Sequence, residues 1–297
     1  MSEYQKTGYL RENFKIFHIK DQTHREFRYH YHNFHKILVM LGGNVTYYVE
    51  GNAYRLLPDD IVLIPAGEIH RPQIHDKTPY ERIILYISPD YLETFRTRDF
   101  DLLQCFPPAA HTASGPSAPV GQQKKSHVLR FRTGHGTALK NILSALDGAR
   151  KDADFAGALL QEALFVQFMI QLNRAALHRN FDFIPNSPSD DKIFSILSYL
   201  NAHLKEPFSV DHVAGHFYLN RYYLMHMFKQ QTGCTLHGYV ELKRLELARQ
   251  MIFSGTPVAK ACEESGFPNY STFSRSYKKK YGVSPREDLK SHSETIL

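Results

Sequence analysis

The stretches VDHVAGHFYLNRYYLMHMFKQQTG at residues 210–233 and VAKACEESGFPNYSTFSRSYKKKYG at residues 258–282 follow the same short plan. Each runs from a helix-sized segment through a tight turn into an amphipathic helix that carries Phe-Lys or Tyr-Lys near its end, shortly before a glycine. In a helix-turn-helix unit the second helix lies in the major groove of DNA, and its outer residues reach the bases. Two such units in one chain predict a protein that binds double-stranded DNA at successive grooves.

Capping residues predict where these helices begin. Ser209 and Thr256 precede the first helix of each unit and offer a hydroxyl to its unpaired N–H groups, and Pro257 takes the first helical position in the second unit. Asn220 and Asn269 are predicted to cap the two second helices. Each unit therefore carries its own start signals for both of its helices.

The spacing of apolar residues separates a buried side from an outer side on each second helix. In the first unit Leu224, Met227 and Phe228 recur at helical spacing. In the second unit Phe273 and Tyr277 form the corresponding buried pair. The outer residues are the candidates for base contacts, and they are Tyr222, Met225, His226, Tyr270, Ser271, Ser274 and Arg275.

Positive charge is concentrated at the end of the second unit. Residues 190–297 hold 14 Lys and Arg against 11 Asp and Glu, whereas residues 270–281 contain four basic residues and no acid. A lysine run alone is most often a solvated face. At the end of a second helix, however, Lys278 and Lys279 are predicted to bind DNA phosphates. Arg275 is the candidate for a bidentate contact to guanine, because its guanidinium is planar and forked.

The segment from Ser209 to Pro285, which includes GFPNYSTFSRSYKKKYGVSP at 266–285, closely resembles the tandem DNA-binding domain of the AraC family of bacterial transcription regulators. The resemblance implies two units joined by one long helix, here YVELKRLELARQMIFSG at 239–255, that read adjacent major grooves. Two dipeptides depart from the family pattern. Residues 261–262 are Ala-Cys where the family usually has Ile-Ala, and residues 288–289 are Asp-Leu where it usually has an aromatic residue followed by Arg. A differently packed C-terminal cap is therefore expected.

The first part of the chain has the pattern of short strands. Between Phe27 and Ile87, β-branched and aromatic segments are separated by turn signals rich in Gly, Pro, Asn and Asp. The segments are HKILVML (35–41), NVTYYVE (44–50), DIVLIP (60–65) and ERIILYIS (81–88). The turns are at 42–43, 51–52, 58–60 and 66–67. Such spacing predicts an antiparallel sandwich or barrel. Residues 99–127 are predicted to form a long, mobile surface loop.

Helical periodicity begins near Gly136, and the segment FAGALLQEALFVQFMIQLNRAAL at 155–177 is predicted to be one long helix. Leu160, Leu164, Phe168 and Leu172 recur every four residues, and the apolar arc is wide for a helix that only covers a small barrel. We therefore expect part of it to form a homodimer interface, with packing inside one domain as the alternative. Pro, Asn, Ser and Asp residues then predict a linker. The expected domains are 1–180, a linker at 181–190, and 191–297.

Histidines in the first domain have the spacing of a cupin barrel. His30 and His32 precede Lys36, and Pro65-Ala66-Gly67 precedes His70 by three residues, a layout that resembles AraC-family members with an N-terminal cupin-like domain. The resemblance implies a sensor domain, and in metal-binding cupins the position of Lys36 is typically a Glu. An ammonium repels a metal and offers no lone pair, so no metal is expected.

Alternation along one strand would place His30, His32, Phe34 and Lys36 on one face. If that face is interior, imidazoles and an ammonium suit a small polar, anionic or hydroxyl-rich effector. The predicted effector-binding residues are His30, His32, Lys36 and His70. Two alternatives remain, in which these histidines are barrel residues satisfied by neighbouring hydrogen bonds or are metal ligands.

Composition limits the other classes of protein. Hydrophobic residues make up 42% of 297 residues, enough for real cores, and the net charge of +6 fits DNA binding through a local patch. The three cysteines have no CxxC spacing, which predicts buried thiols in a reducing compartment. The first residues lack an apolar leader, and no run approaches the roughly 18 apolar residues of a membrane span. A cytoplasmic protein without a membrane partner is expected.

Together these features predict an α+β protein with an N-terminal cupin-like β-barrel, dimerisation helices and a C-terminal all-α tandem helix-turn-helix domain. Its predicted function is sequence-specific transcription regulation by a small polar effector, without catalysis or a cofactor. By family resemblance, we expect an activator with a sugar-related effector, and RNA polymerase is a further candidate partner. The alternatives are a metal-dependent cupin enzyme or metal sensor fused to a DNA-binding domain, and a regulator whose barrel serves only dimer assembly.

Overall fold

The computed structural model describes residues 10–21, 27–97, 99–107, 126–132, 137–151, 154–178, 181–184 and 191–295. They form a two-domain α+β protein. The N-terminal domain, described up to residue 184, contains every strand among these residues, and the C-terminal domain, from residue 191, is helical. The predicted fold class is confirmed at this level.

The N-terminal domain has nine strands and three α-helices among the described residues. The strands are β1 (Phe14–Asp21), β2 (His35–Gly42), β3 (Val45–Val49), β4 (Asn52–Arg55), β5 (Ile61–Ile64), β6 (His70–Ile74), β7 (Tyr80–Ile87), β8 (Val128–Phe131) and β9 (Phe181–Phe183). The helices are α1 (Pro89–Glu93), α2 (Thr137–Gly148), which runs into a 3-10 turn at Ala149–Lys151, and α3 (Gly157–Leu177).

The C-terminal domain has seven helices among the described residues. They are α4 (Lys192–Ala202), α5 (Val210–His216), α6 (Arg221–Thr232), α7 (Leu236–Phe253), α8 (Val258–Glu264), α9 (Tyr270–Tyr281) and α10 (Pro285–Thr295). Helices α5 and α6 form the first predicted unit, and α8 and α9 form the second. Helix α7 connects them.

The strands form two antiparallel sheets. One has the order β1-β7-β2-β5-β8-β9, and the other has the order β4-β3-β6. Alternation along β2 gives its two faces different neighbours. Leu38 and Met40 pack with Val45 and Tyr47 of the small sheet. Ile37 and Val39 point the other way and pack with α2 and α3. Lys36 shares the first of these faces, so its side chain points between the sheets.

Three strands lie outside the region that the sequence pattern marked. Strand β1 pairs with β7 along its whole length, from Phe14 opposite Ile87 to Asp21 opposite Tyr80. Strand β9 pairs with β8, so the residues predicted to open the linker belong to the N-terminal sheet instead. The rest of that linker, 185–190, lies outside the described residues.

The predicted loop at 99–127 is wrong for its first portion. Leu102, Cys105 and Phe106 are buried against the core that α2 and α3 share with the large sheet. Apolar side chains therefore hold residues 99–107 on the domain. Residues 108–125 lie outside the described residues.

Helix α3 buries a narrower stripe than its sequence suggests. Phe165, Phe168, Met169 and Leu172 are buried, but Leu160 is 47% exposed. The predicted repeat is therefore correct only over the later turns of the helix. A separate apolar face remains in solvent.

The helix starts in the C-terminal domain follow the predicted caps with one exception. Ser209 accepts a hydrogen bond from the backbone of α5, and Asn220 and Asn269 do so for α6 and α9. The prediction that Thr256 caps α8 is wrong. Pro257 is itself the N-cap residue and its carbonyl accepts from the amide of Ala261, so the helix begins one residue later than expected.

The C-terminal cap is built around Asp288. Its carboxylate is 2.8 Å from Arg249 Nε and accepts a 2.6 Å hydrogen bond from the Tyr277 hydroxyl. A buried carboxylate is stable only when such partners replace water. This triad joins α7, α9 and α10.

None of the described helices combines the length and the apolar character that a membrane span requires. Cys105 and Cys262 are buried as predicted, whereas Cys234 is only partly buried and its thiol lies 3.4 Å from the Thr232 hydroxyl.

We predict that Asp288→Ala lowers the free energy of unfolding by roughly 1–2 kcal/mol, because it removes charge-assisted hydrogen bonds and leaves Tyr277 and Arg249 without their acceptor. The expected loss of stability lies in the lower part of the usual range because the Arg249 side chain is 40% exposed, so solvent screens its charge. Urea unfolding followed by helical circular dichroism measures it. Glu264→Ala is the control, since Glu264 belongs to an exposed ion pair with Lys260 and should change stability by about 0.5 kcal/mol or less. Equal midpoints for the wild type and Asp288→Ala would contradict the role of the triad.

Candidate DNA-binding surface and effector pocket

The first predicted reading helix, α6, is held by its cap and its buried stripe. Asn220 Oδ1 accepts hydrogen bonds from the amides of the first residues of α6, and Leu224, Met227 and Phe228 are buried. Tyr222 is 75% exposed. Thus the face opposite the stripe is open to solvent.

The predicted base-contacting residues of α6 differ in exposure. Tyr222 and His226 project into solvent as expected. Met225 is half-buried and packs against the core formed by α4–α7, so only part of its side chain is available. Of the three, Tyr222 and His226 are the better placed to reach a groove.

Two exposed tyrosines, one in the turn before α6 and one on the helix itself, were not among the predicted base-contacting residues. Tyr218, in the turn between α5 and α6, is 96% exposed and has a backbone φ of 54°, and Tyr223 is 54% exposed. Tyrosine hydroxyls commonly bind DNA phosphates. The signal for Tyr218 was a bulky aromatic residue in a tight turn, where a smaller residue would be favoured.

The second predicted reading helix, α9, has the same division. Phe273 and Tyr277 are buried, while Ser271 and Arg275 are exposed. Arg275 Nε donates to the Ser271 carbonyl at 3.3 Å, which lays its guanidinium along the outer face. The remaining candidates are less open, since Tyr270 is 40% exposed with its ring edge against Phe273, and Ser274 is half-buried.

The lysine run at the end of α9 is not uniform. Lys278 and Lys279 are exposed, and neither takes part in an ion pair among the described residues. Lys280, the third lysine of the run, lies 3.1 Å from Glu246 Oε1 on α7. Two of the three ammonium groups are therefore available to phosphates, and the third is held by a carboxylate.

Helix α7 sets the separation of the two helix pairs. Its 18 residues correspond to about 27 Å at the usual rise per residue. One turn of B-DNA is about 34 Å. A rod of this length suits two elements that enter neighbouring grooves on one side of the duplex.

Three predicted pocket residues converge in the N-terminal domain. The candidate ligand nitrogens of His30, His32 and His70 all lie within 4.8 Å of one another. His30 and His70 exchange backbone hydrogen bonds of 3.1 and 2.9 Å, which fixes the two segments side by side. The strand predicted to carry them is only partly correct, because β2 begins at His35 and His30 forms an isolated bridge instead.

Hydrogen bonds to carbonyls set the tautomers of two of these histidines. His30 Nδ1 lies 2.9 Å from the Arg28 carbonyl, and His70 Nδ1 lies 2.9 Å from the Glu68 carbonyl. A carbonyl only accepts, so Nδ1 carries the hydrogen in both rings. The lone pair is therefore on Nε2 in each ring.

Lys36 completes the cluster. Its Nζ is 2.9 Å from the Tyr47 hydroxyl and 3.4 Å from His70 Nε2. Burial, with a smaller contribution from Arg82, lowers the pKa of Lys36 to about 7. Near neutral pH the amine and the ammonium of Lys36 are therefore both present.

Two imidazoles beside Lys36, those of His30 and His70, are uncharged at neutral pH. Burial and then the charge of Lys36 lower the pKa of His30 to about 4, and the same two causes hold the pKa of His70 well below its usual value. Burial disfavours the charged form of an imidazole, because a protein interior solvates an ion less well than water does. The pocket therefore presents neutral acceptors beside one titratable donor.

Aromatic rings form one side of the cluster: Phe34 was expected on this face from strand alternation, whereas Tyr86 was not identified from the sequence. Phe34 stacks on the His32 ring at 4.5 Å with an interplanar angle of 10°, and Tyr86 lies 4.5 Å from Phe34. Tyr86 is opposite Lys36 in the β2–β7 register, so period-2 alternation brings it to the same face. That pairing requires knowledge of the register, which the sequence alone does not contain.

Comparison with known proteins bears on both surfaces. Residues 15–169, more than half of the chain, match a family described as the AraC-like ligand binding domain, and residues 213–291 match a helix-turn-helix domain family. The chain is 25% identical over 275 residues to the HTH-type transcriptional activator RhaS of Escherichia coli strain SMS-3-5, covering 88% of this chain and 87% of that protein.

Two solved structures are also similar. Fatty-acid-bound ToxT of Vibrio cholerae has 14% identity, covers 97% of this chain and all of its own, and has a TM-score of 0.37. An AraC-type regulator from Chromobacterium violaceum has 27% identity over 35% of this chain and 93% of its own, with a TM-score of 0.32.

We predict different effects for two basic residues of α9. Arg275→Ala should cost about 1–3 kcal/mol of binding and relax the preference at one or two base pairs, because a bidentate contact to a base edge is lost. Lys279→Ala should weaken binding to all sequences alike and reduce the salt dependence by about one phosphate contact. Selection from a randomised DNA pool, followed by affinity measurements, distinguishes the two. An unchanged sequence preference in Arg275→Ala would refute its assignment.

Proposed function

Since this chain belongs to the AraC family of DNA-binding transcription regulators with a ligand-binding domain, we propose that its two helix pairs act as tandem helix-turn-helix units and that the pocket around Lys36 binds a sugar-related effector. The two sheets are proposed to be the walls of a cupin-like barrel. We place the sensor domain before the linker at 185–190 and the DNA-binding domain after it. The proposed response is activation, in keeping with the name of the relative RhaS.

The DNA part of this proposal is supported by exposure and spacing. Tyr222 on α6 and Arg275 on α9 present outward side chains, and α7, which is about 27 Å long, connects the two helix pairs. Lys278 and Lys279 supply phosphate contacts beside them. Contacts from both helices would fix the register of the chain on one face of the duplex.

The observation that carries the effector proposal is the convergence of His30, His32, His70 and Lys36 in a buried interior. The Nε2 lone pair of His30 can accept a hydrogen bond from a hydroxyl group, and Lys36, whose Nζ lies 3.4 Å from His70 Nε2, can donate to a ligand. The ring of Phe34 offers an apolar surface to the carbon face of a ligand. A hydroxyl-rich molecule with one apolar face matches this combination better than a simple anion does.

The metal-dependent alternative has less support. Three imidazoles have the geometry of metal ligands, but Lys36 lies 3.4 Å from His70 Nε2, and as an ammonium it would repel a cation. The similar proteins described above are regulators. We therefore propose no catalytic role and no resident metal.

We further propose that α3 forms a homodimer interface. Leu159, Ile170 and Leu177 are 65%, 37% and 60% exposed on this helix. Leu159 and Ile170 line a groove of about 540 Å³ together with Phe95. A contiguous exposed apolar strip of this kind is typical of a protein contact. A second copy would present the same strip around a two-fold axis.

We predict that a neutral monosaccharide from a panel of aldohexoses, deoxyhexoses and hexuronates raises the melting temperature of the protein, because a ligand that binds only the folded state stabilises it. Lys36→Met should abolish the shift by removing the donor. Lys140→Met is the matched control, since Lys140 is an exposed lysine of the same domain paired with Asp59, and it should retain the shift. A panel without any shift, or an undiminished shift in Lys36→Met, would contradict the effector assignment.

Elemental analysis of the same preparations tests the alternative. One transition metal per chain in the wild type, lost in His70→Ala, would favour a metal sensor over a sugar sensor. Conversely, Lys36→Glu should create divalent-metal affinity, since it places a carboxylate beside three imidazoles.

For the dimer, we predict that the double variant Leu159→Asp, Ile170→Asp sediments as a monomer at micromolar concentration, whereas the wild type sediments as a dimer. The introduced carboxylates would have to be desolvated in an apolar interface. Leu57→Asp is the control, because Leu57 is 49% exposed in the β4–β5 turn, away from α3. A monomeric wild type would remove the interface from the proposal.

A further inference from the structure

A turn of the N-terminal domain reaches into the C-terminal domain. Glu50 and Gly51, between β3 and β4, have positive backbone φ values of 48° and 74°. A side chain at Gly51 would place its Cβ 2.5 Å from the backbone nitrogen of Ser198 in α4. Only a glycine permits this approach, so the turn fits α4 closely. We call these two residues the docking turn.

The carboxylate of the docking turn is completed by the other domain. Glu50 is buried, and its Oε1 lies 3.0 Å from Lys243 Nζ on α7. The Tyr239 hydroxyl donates to the same carboxylate, and Asn201 Nδ2 lies 3.1 Å from both Oε2 and the carbonyl of Glu50. Three side chains of the C-terminal domain therefore replace the water that Glu50 gives up.

The docking turn is also bonded to the pocket segment. Glu50 Oε1 accepts a 2.7 Å hydrogen bond from the amide of Ile69, the residue before the pocket histidine His70. On the same segment, Gly67 donates its amide to the His32 carbonyl at 2.7 Å. One peptide bond therefore links His70 to Ile69, and one hydrogen bond links Ile69 to the docking turn.

A chain of charges continues from the docking turn to α9. Lys243 lies between Glu50 and Glu246, with Nζ 3.2 Å from the Glu246 carboxylate. Glu246 in turn is 3.1 Å from Lys280. Burial alone would lower the pKa of Lys243, but these carboxylates outweigh it and raise the pKa, and the two lysines together lower the pKa of Glu246 although its burial acts in the opposite direction. Lys243 and Glu246 are therefore both held in their charged forms.

These charges compete for partners. While Glu50 is docked, it neutralises part of Lys243, and Glu246 remains shared between Lys243 and Lys280. If Glu50 withdraws, Lys243 loses one of these two carboxylates and keeps Glu246. Glu246 is then neutralised more fully by Lys243 and attracts Lys280 less strongly. Lys280 follows Lys278 and Lys279 in the basic run, so release would place a third ammonium at the DNA backbone.

We propose that the docking turn is an autoinhibitory contact that keeps Lys280 bound to Glu246 and away from DNA, and that effector binding releases it. This rests on the proposed DNA-binding function. A buried ion pair suits such a switch, because the cost of removing both charges from water nearly offsets their attraction, and a ligand can shift the balance. Release adds a phosphate contact without altering the base-contacting face of either reading helix.

Two variants of the full-length protein should open the contact by different routes. Glu50→Gln removes the charge, and Gly51→Ala introduces a Cβ that cannot fit against Ser198 while leaving Glu50 intact. Gly43→Ala is the matched control for strain, since Gly43 also has a positive φ of 114° in a turn of the same domain, and a Cβ there would lie nearest to Tyr80, Pro79 and Met40 of that domain.

The measurement is affinity for an operator selected by the wild type, over a range of salt concentrations and without added ligand. We expect Glu50→Gln and Gly51→Ala to bind about fivefold or more tightly than wild type. The slope of log affinity against log salt should become steeper by about 0.9, the value for one additional phosphate contact. Gly43→Ala should match the wild type in both quantities.

Lys280→Ala gives the decisive comparison. In the wild-type background it should have little effect on affinity, because Lys280 is already held by Glu246, whereas Lys279→Ala should weaken binding there. In the Glu50→Gln background, Lys280→Ala should remove both the gain in affinity and the steeper slope. Hydrogen exchange of α7 and residues 48–53 should rise in both opening variants.

Several results would overturn the proposal: wild-type affinity and slope in both opening variants, unchanged hydrogen exchange in both, an equal gain in Gly43→Ala, or a gain that survives Lys280→Ala. If the wild type selects no operator at all, the proposed function fails and this inference fails with it. If the wild type binds its operator and only the variants behave differently from expectation, the inference alone fails.

Discussion

Helix α7 packs against two helical cores and the N-terminal domain at once, and this constraint fixes the arrangement of both domains. Tyr239 and Val240 pack into the core formed with α4–α6, whereas Ala248 and Ile252 pack into the core formed with α8 and α9. Between them Lys243, which is 2% exposed, faces the N-terminal domain. A helix that contributes to two cores cannot roll without opening one of them. The spacing of the two helix pairs and the position of the docking turn are therefore set by the same element.

Buried charge on α7 is stabilised by acceptors from other segments. Arg244 donates from Nε to the Leu204 carbonyl at 2.9 Å and from Nη2 to the Glu206 carbonyl at 2.6 Å. Gly266, which follows α8, approaches the same place, and a Cβ there would lie 2.9 Å from the Leu204 oxygen. The arginine thus ties the loop after α4 to the region before α9. An unpaired charge at this depth would cost several kcal/mol, so these contacts also define how the two helix pairs meet.

The features that sequence analysis predicted correctly are those controlled by neighbours in the chain. Asn220 and Asn269 cap their helices because the oxygen and the amide it binds are two or three residues apart. The buried stripes of α6 and α9 follow from helical spacing alone. The errors arise where distant contacts decide. Strand β9 exists because β8 offers it a partner, and the lowered pKa of Lys36 depends on burial between two sheets. Glu50 and Lys243 would each be taken for a surface charge, since nothing local shows that they meet.

The pocket and the interdomain contact are built from the same backbone segments, and this determines how a signal could travel. Any ligand that displaces His70 must also move Ile69, whose amide is bonded to Glu50. Any ligand that displaces His32 must act on Gly67, whose amide is bonded to the His32 carbonyl. Gly67 is also close to α7, since a Cβ built at this position would lie 2.8 Å from Glu246 Oε1. Coupling requires that the ligand prefer one domain arrangement over the other, and a shared rigid segment supplies that preference without a long pathway. The path from His70 to α7 is therefore short, since it runs through one peptide bond, the hydrogen bond from Ile69 to Glu50 and the ion pair of Glu50 with Lys243, although these residues are far apart in the sequence.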